Sequence, residues 1–476
     1  MSKDEIIANQ NEKISALKHE IVELKRLIFG SKSERFVPEE SPAEQLNMFV
    51  EQAVQSEVAI VEKQKLSYER NKPTAHPGRH KLPEHLPMEV VIIEPEVDTT
   101  EMKKIGDRIT DTLKYTPASL IRKRTIRPEY IDQKEEKFHI AELPSRPLPK
   151  SIAESSLLAH IFVCKFVDHL PFYRQIQIFK RDYDWKLSDS TLNDWFAACC
   201  TLMEPLYNKM LESVFSSDYI QADESPIKVL DKDKKGSTHM GYQWVYSSPP
   251  DGITVFQYRK GRGMHGPKES LSTYKGVIQC DGYKVYDKLG QKKEISLLGC
   301  LAHVRRKFFE AKGNDEKRSG YAMQLIQQVY QHERHCKSFK SEDRKIYRLE
   351  HTKPLYDEFK EWLQENTNIV LPKSKIGNAI GYTLKQWHKL IAFFDNGKFL
   401  IDNNLIENKI RPLALGRKNY LFAGSHKAGQ RIAMMYSFFA TCKQQQVNPY
   451  IWLENTLDVI ADTKLSEIEK LIPKKQ

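Results

Sequence analysis

No window of this chain is long and apolar enough to suggest a membrane span. The N-terminus is charged and has no apolar secretory core, so no signal peptide is expected. Cysteine is sparse, with seven among 476 residues, at 164, 199, 200, 280, 300, 336 and 442. None forms a Cys-x-x-Cys pair, which argues against a zinc knuckle and against a disulfide framework. A reducing cytoplasm is the expected location. Acidic residues are missing between Lys409 and Arg431, where Lys409, Arg411, Arg417, Lys418, Lys427 and Arg431 fall.

The length is too great for one ordinary core, and three or four domains are expected. Apolar content of 40% and charged content of 29% describe a soluble globular chain. Net charge is +11, and its placement matters more than its size. Besides the run from Lys409, clusters form at Arg122, Lys123, Arg124 and Arg127, at Arg259, Lys260, Arg262, His265 and Lys268, and at His303, Arg305, Arg306 and Lys307. Any one cluster reads equally well as a solvated face. Several beside candidate catalytic acids point to a polyanionic substrate.

Organisation changes along the chain. Residues 1–35 read as a coiled-coil helix, with Ile7, Ile14, Ile21 and Ile28 seven apart and Leu17 and Leu24 between them, a pattern that favours a parallel homodimer. An amphipathic helix packed on its own chain is the alternative. Residues 36–85 form a basic linker, and 86–147 a small β-rich module with strands expected at Val90–Ile93 and Ser119–Arg127. Residues 148–214 are helical and carry a weak helix-turn-helix signal, with Ser188 or Ser190 as an N-cap.

Strands follow at Tyr219–Leu230, Gly241–Ser247 and Ile253–Tyr258. Then come a helical piece near Gly266–Tyr274, a strand at Val277–Cys280, a helix-capable stretch and a strand at Glu294–Cys300. Three hairpin-linked strands, then helix, strand, helix, strand, is the order of a ribonuclease H-like α/β fold with a mixed five-stranded sheet. Residues 215–304 and 395–425 would form this core, interrupted by an α-helical insertion over 305–394. Residues 426–476 would add helices split at Asn448-Pro449.

On this frame three acids stand out. Asp223 lies in a strand, Asp281 ends another, and Glu407 lies in a helical stretch crowded by cations. Hard carboxylate oxygens on rigid supports suit two Mg2+ or Mn2+ ions for phosphodiester chemistry. Other acids fit less well. Glu224, next to Asp223, should point to the opposite sheet face, and Asp402 suits the start of a helix. Arg411 is one turn past Glu407, Pro412 disfavours helix at Arg411, and Arg417 with Lys418 is expected in a loop. The tryptophans at 195, 244, 387 and 452 are expected in the core.

Several segments resemble the insertion-sequence-66 family of DDE transposases. They are Gln221-Ala222-Asp223-Glu224-Ser225-Pro226, Cys280-Asp281-Gly282-Tyr283, the stretch from Gly299 to Phe308 that holds His303-Val304-Arg305-Arg306, and Asp402 to Pro412 continuing through Gly416-Arg417-Lys418 to Ser425. Phe29-Gly30-Ser31-Lys32-Ser33-Glu34-Arg35 is similar to the family segment that follows a leucine-zipper helix. The resemblance implies a catalytic and metal-binding triad of Asp223, Asp281 and Glu407, Mg2+ or Mn2+ as cofactor, DNA as substrate and accessory proteins as partners. Arg262, His303, Arg305, Arg306, Arg411, Arg417 and Lys418 are the candidate DNA contacts. The family also carries a cysteine-paired zinc module ahead of its core. Residues 92–133 here hold no cysteine, so no zinc is expected.

The expected activity is metal-dependent cleavage at element ends and transfer of the freed 3′-hydroxyl into target DNA. Two alternatives stay open at this point. One is a nuclease or resolvase on the same fold that never joins strands. The other is a DNA-binding protein whose acids are structural.

Overall fold

The computed structural model describes residues 145–149, 151–230 and 237–475, together with Leu120 and the backbone of two short strands. The coiled-coil reading of residues 1–35, the linker, and the strand expected at Val90–Ile93 lie outside the described residues. So does the strand expected at Ser119–Arg127, apart from Leu120, which belongs to no strand.

The chain divides into two compact units, residues 48–142 and residues 1–47 with 143–476. In the smaller unit, β1 (Glu129–Asp132) pairs antiparallel with β2 (Lys137–Ile140), Glu129 opposite Ile140.

The larger unit begins with three helices, α1 (Ser155–Phe166), α2 (Phe172–Tyr183) and α3 (Asp189–Ser216). Ser188 caps α3 by accepting the Thr191 N–H, which supplies a partner for one otherwise orphaned donor. Leu192, Met203, Leu206, Met210 and Val214 recur on one face of α3 and are fully buried.

The chain then builds a five-stranded sheet from β3 (Tyr219–Leu230), β4 (Thr238–Ser248), β5 (Ile253–Arg259), β6 (Gly276–Gln279) and β7 (Ile295–Leu298), in the spatial order β5-β4-β3-β6-β7. β3, β4 and β5 pair antiparallel; β6 and β7 add parallel to the free edge of β3. The short helices α4 (His265–Ser270) and α5 (Lys284–Leu289) supply the crossovers that parallel pairing requires. Gly276 enters β6 at φ +140°, where a Cβ would stand 2.5 Å from the Asp218 carbonyl oxygen. Only glycine takes that conformation without strain.

β7 leads into α6 (Leu301–Ala311), and further helices follow, α7 (Glu316–His335), α8 (Ser341–Tyr347), α9 (Lys353–Thr367) and α10 (Lys375–Ile391). These bury a core of their own, with Phe308, Ile326, Phe359, Leu363 and Ile380 among its members. Chain then returns to the sheet as α11 (Asn404–Tyr420), followed by α12 (His426–Gln444) and α13 (Pro449–Val459). Asn448 caps α13, as the Asn448-Pro449 break foreshadows. α12 lies along β5 and joins it through side chains: Ser437 Oγ accepts the Phe256 N–H, and Thr441 Oγ1 accepts the Thr254 N–H.

Trp195, Trp244, Trp387 and Trp452 are all buried. Arg417 and Lys418, expected in a loop, lie in the last turn of α11 instead, because that helix runs through Pro412. Leu413 and Ile406 are fully buried there, and tertiary packing outweighs the lost backbone hydrogen bond. No helix among the described residues is long and apolar enough to cross a membrane.

Candidate active site

β3 and β6 run parallel, with Gln221 opposite Gln279. Asp223 and Asp281 each stand two residues further on, Asp223 within β3 and Asp281 just past the end of β6. Asp223 Oδ1 accepts the Glu224 N–H at 2.8 Å, and Asp281 Oδ1 accepts the Tyr283 N–H at 2.9 Å. Glu407 lies in the first turn of α11, where the helix dipole favours negative charge.

Electrostatics link the three acids. Burial pushes the Asp223 carboxyl well above the usual carboxylate range, the adjacent Glu224 charge raises it further, and the charges of Asp281 and Glu407 add to the rise. Glu224 is raised too, chiefly by burial and also by Asp281, while Arg262 works against the shift. Glu224 is 3% exposed, and its Oε1 takes Arg262 Nη2 at 2.7 Å. The Arg262 guanidinium lies 4.2 Å from the Tyr283 ring centroid, and Tyr283 Oη donates to the Arg262 carbonyl at 3.0 Å. Glu224 thus anchors Arg262, which in turn packs on Tyr283, two residues after Asp281.

Glu407 faces α6. Its Oε1 is 3.7 Å from His303 Nε2 and its Oε2 is 3.5 Å from Arg306 Nη2. Burial lowers the His303 pKa, Glu407 and Asp281 raise it, and Arg306 and Lys307 lower it. His303 thus stands beside Glu407 and feels the charge of Asp281. Arg305 turns differently. It is partly buried beside Tyr330 of α7, and among the described residues no ion pair joins it to the three acids. Arg411 and Lys418 are exposed on α11. Arg417 Nη1 donates to Ser225 Oγ at 2.9 Å and to the Pro226 carbonyl, which ties the end of α11 to β3. His303 and Arg306 thus stand at Glu407 and Arg262 at Glu224, whereas Arg417 is tied to β3 and Arg305 lies beside Tyr330.

Among the described residues, no group of three or more His, Cys, Asp or Glu side chains is already arranged to hold a metal ion. The donors still fit one in kind. They are hard oxygens, desolvated and mutually repelling at Asp223, which a divalent cation would relieve.

Asp402 was expected to cap α11, but the N-cap is Asn403, whose side chain makes no capping bond, and Asp402 stands one residue ahead of it. Its Oδ1 accepts the Asn404 N–H at 3.0 Å and its Oδ2 accepts Tyr330 Oη at 2.8 Å. Burial pushes its pKa up to about 6, against the lowering effect of the Tyr330 hydroxyl. A folded pKa above the unfolded value means that this group's contribution is full below about pH 4 and lost as pH rises through about 6. Tyr330→Phe removes a donor that favours the charged form. It should cost about 2 kcal/mol at pH 7.5, where the hydrogen bond serves a carboxylate, and about 1 kcal/mol at pH 5. Denaturant melts at the two pH values check this, and equal losses would refute the assigned linkage.

Sequence reasoning passed over Tyr219, Gln221, Gln279 and Tyr330. The one available signal was a repeated pattern, Gln221-Ala222-Asp223 and Gln279-Cys280-Asp281, which sets a glutamine two residues before each aspartate.

These features define a class: an α/β protein whose mixed sheet ends at a desolvated acidic cluster flanked by cations. Residues 150–431 match the family described as "Transposase IS66 family". Residues 16–91 match "Transposase C of IS166 homeodomain", and 437–473 match the "IS66 C-terminal element". The chain belongs to the IS66 family of transposases. Among its relatives are proteins of Sinorhizobium fredii (strain NBRC 101917 / NGR234). The uncharacterized protein y4jD is 32% identical over 414 residues, 82% of this chain and 81% of the relative. The uncharacterized protein y4hP is 29% identical over 493 aligned positions, 97% of this chain and 88% of the relative.

Proposed function

We propose that this transposase cuts DNA at the ends of a mobile element and joins the freed 3′ ends to target DNA, with Asp223, Asp281 and Glu407 as its catalytic acids on a ribonuclease H-like core. The observation that carries this reading is geometric: Asp223 and Asp281 each follow by two residues one of a pair of glutamines in register on parallel strands, and those glutamines hold the segment that leads into the helix of Glu407.

Two Mg2+ or Mn2+ ions, when bound, would supply Lewis acidity at the scissile phosphate. Asp223, Asp281 and Glu407 would hold them. In the first step a water oxygen forms a bond to phosphorus, and the bond from phosphorus to the element's 3′ oxygen breaks. In the second, that 3′-hydroxyl forms a bond to a target phosphorus and displaces a target 3′ oxygen. Each step exchanges one P–O bond for another, and no protein–DNA bond is made. Arg262, His303 and Arg306 line the approach and favour a polyanion there. Arg411 and Lys418 extend the basic surface along α11, with Arg305 and Arg417 supporting it from within. Residues 1–35 would pair two copies of the chain.

A strand-transfer assay with pre-cut element ends, a supercoiled target and Mn2+ tests the reading. Joined products are expected, and chelation should remove them. Cutting without joining would favour a nuclease instead. DNA binding that ignores chelation, with no nicking at all, would make the acids structural.

A further inference from the structure

Between the helical insertion and α11, the chain crosses the end of the sheet at Leu400, Ile401 and Asp402. All three consecutive carbonyls are held. Gln279 Nε2 donates to the Leu400 carbonyl at 2.7 Å, the Leu301 N–H to Ile401 at 3.0 Å, and Gln221 Nε2 to Asp402 at 3.1 Å. The two glutamines also hold each other, with Gln221 Nε2 2.8 Å from Gln279 Oε1. Tyr219 Oη donates to that same Oε1 at 2.6 Å and accepts the Leu400 N–H at 3.2 Å. Gln279 Nε2 donates again to the Gly299 carbonyl at 3.1 Å, so every hydrogen-bonding position of its amide is filled.

Gln221, Gln279 and Tyr219 are fully buried. Polar groups at such positions are costly unless they are paired, and Gln221 Oε1 has no partner at all. Apolar side chains would fill a sheet–helix interface more cheaply. The glutamines sit in register on adjacent parallel strands, each two residues before a site aspartate. One buried cluster therefore grips both acid-bearing strands and the segment that leads into α11. Helix α11 starts at Asn404, and the Asn403 carbonyl accepts the Glu407 N–H at 3.2 Å. A fixed Asp402 thereby fixes the first turn that carries Glu407.

We infer that Gln221, Gln279 and Tyr219 are positioning residues that clamp residues 400–402 to the sheet and so set Glu407 against Asp223 and Asp281. This inference rests on the placement of Glu407 in the reacting site. It extends that reading by naming what holds the third acid, which arrives from a distant part of the chain.

The test uses the full chain. Tyr219→Phe removes only a hydroxyl and keeps the ring that packs on Phe399. Gln221→Met and Gln279→Met keep length and lose the amide. Hydrogen exchange of metal-free protein should quicken at least about tenfold in peptides spanning 400–408, with β5 and α12 unchanged. In Mn2+-dependent cleavage, kcat should fall by about 10²-fold with the DNA Kd unaltered, because a misplacement near 1 Å costs about that much. Wild-type exchange over 400–408 in all three variants would overturn the clamp, whatever the protein does to DNA. Faster exchange with wild-type kcat would overturn its link to Glu407. Should wild-type protein fail to cut DNA, the proposed activity falls, while the exchange experiment still decides the clamp. If the glutamine variants do not fold, Tyr219→Phe alone gives the answer.

Discussion

Asp223→Asn should abolish both cutting and joining, by on the order of 10³-fold or more, while DNA binding stays within about twofold. Asp223 would help to hold the metal ions that stabilise several kcal/mol of developing charge, and each 1.36 kcal/mol is a factor of ten. The same substitution should make the metal-free protein more stable. Asp223 is desolvated and surrounded by like charge, so its folded pKa lies above the unfolded value. Its contribution to stability is full below the unfolded pKa of about 3.9 and lost as pH rises through the higher folded value. At pH 7.5 an uncharged asparagine removes that loss, and it keeps the oxygen that accepts the Glu224 N–H. Tm should rise by roughly 1–3 °C at pH 7.5, with the gain disappearing near pH 3.5. Mn2+ should raise the Tm of the wild type and leave that of the variant where it was. Calorimetry and a cleavage assay on one preparation check both halves. A variant that joins DNA at the wild-type rate would remove Asp223 from the mechanism.

Glu333→Ala should destabilise the helical insertion by about 3–5 kcal/mol. Arg348 is fully buried and takes both oxygens of Glu333, through Nε at 2.8 Å and Nη2 at 2.7 Å. Its guanidinium lies 5.0 Å from the Phe393 ring centroid, and its backbone belongs to a wide π-turn, Arg348–Thr352, that joins α8 to α9. Removing the acid strands a charge in an apolar core, whereas Glu333→Leu with Arg348→Met removes both and should cost far less. Urea titration followed by hydrogen exchange across residues 316–391 would show an early phase in the single variant and its reversal in the double one. A single variant within about 0.5 kcal/mol of wild type would mean that the pair is solvated. The effect should reach the site, because chain leaving these helices enters the clamped segment at Leu400.

The sheet was legible because its signals are local. Tyr219–Leu230 is a strand-like run followed by a lysine-rich polar stretch, and the strand observed there has the expected bounds. Gly241–Ser247 and Ile253–Tyr258 lengthen only slightly in the structure, to Thr238–Ser248 and Ile253–Arg259. Asp223, Asp281 and Glu407 stood out because their carboxylates fall in or beside strands and in a helix crowded by cations, a pattern that is local in the sequence. What escaped was set by tertiary packing. Pro412 predicts a break, yet Leu413 buries against the sheet and α11 continues, which turns Arg417 inward to Ser225. Arg348 reads as one more cation in a charged helix, and nothing local announces that Glu333 waits fifteen residues earlier. The clamp escaped for a similar reason. A buried glutamine in a strand reads as a weak strand former until residues 400–402, far along the chain, are seen beneath it.

The most direct measurement is anomalous diffraction from crystals soaked in Mn2+. The account predicts density at ligand distance, roughly 2–2.5 Å, from oxygens of Asp223, Asp281 and Glu407 together, with Glu407 drawn off His303 and Arg306. Manganese bound elsewhere, with Glu407 still on those two cations, would contradict it.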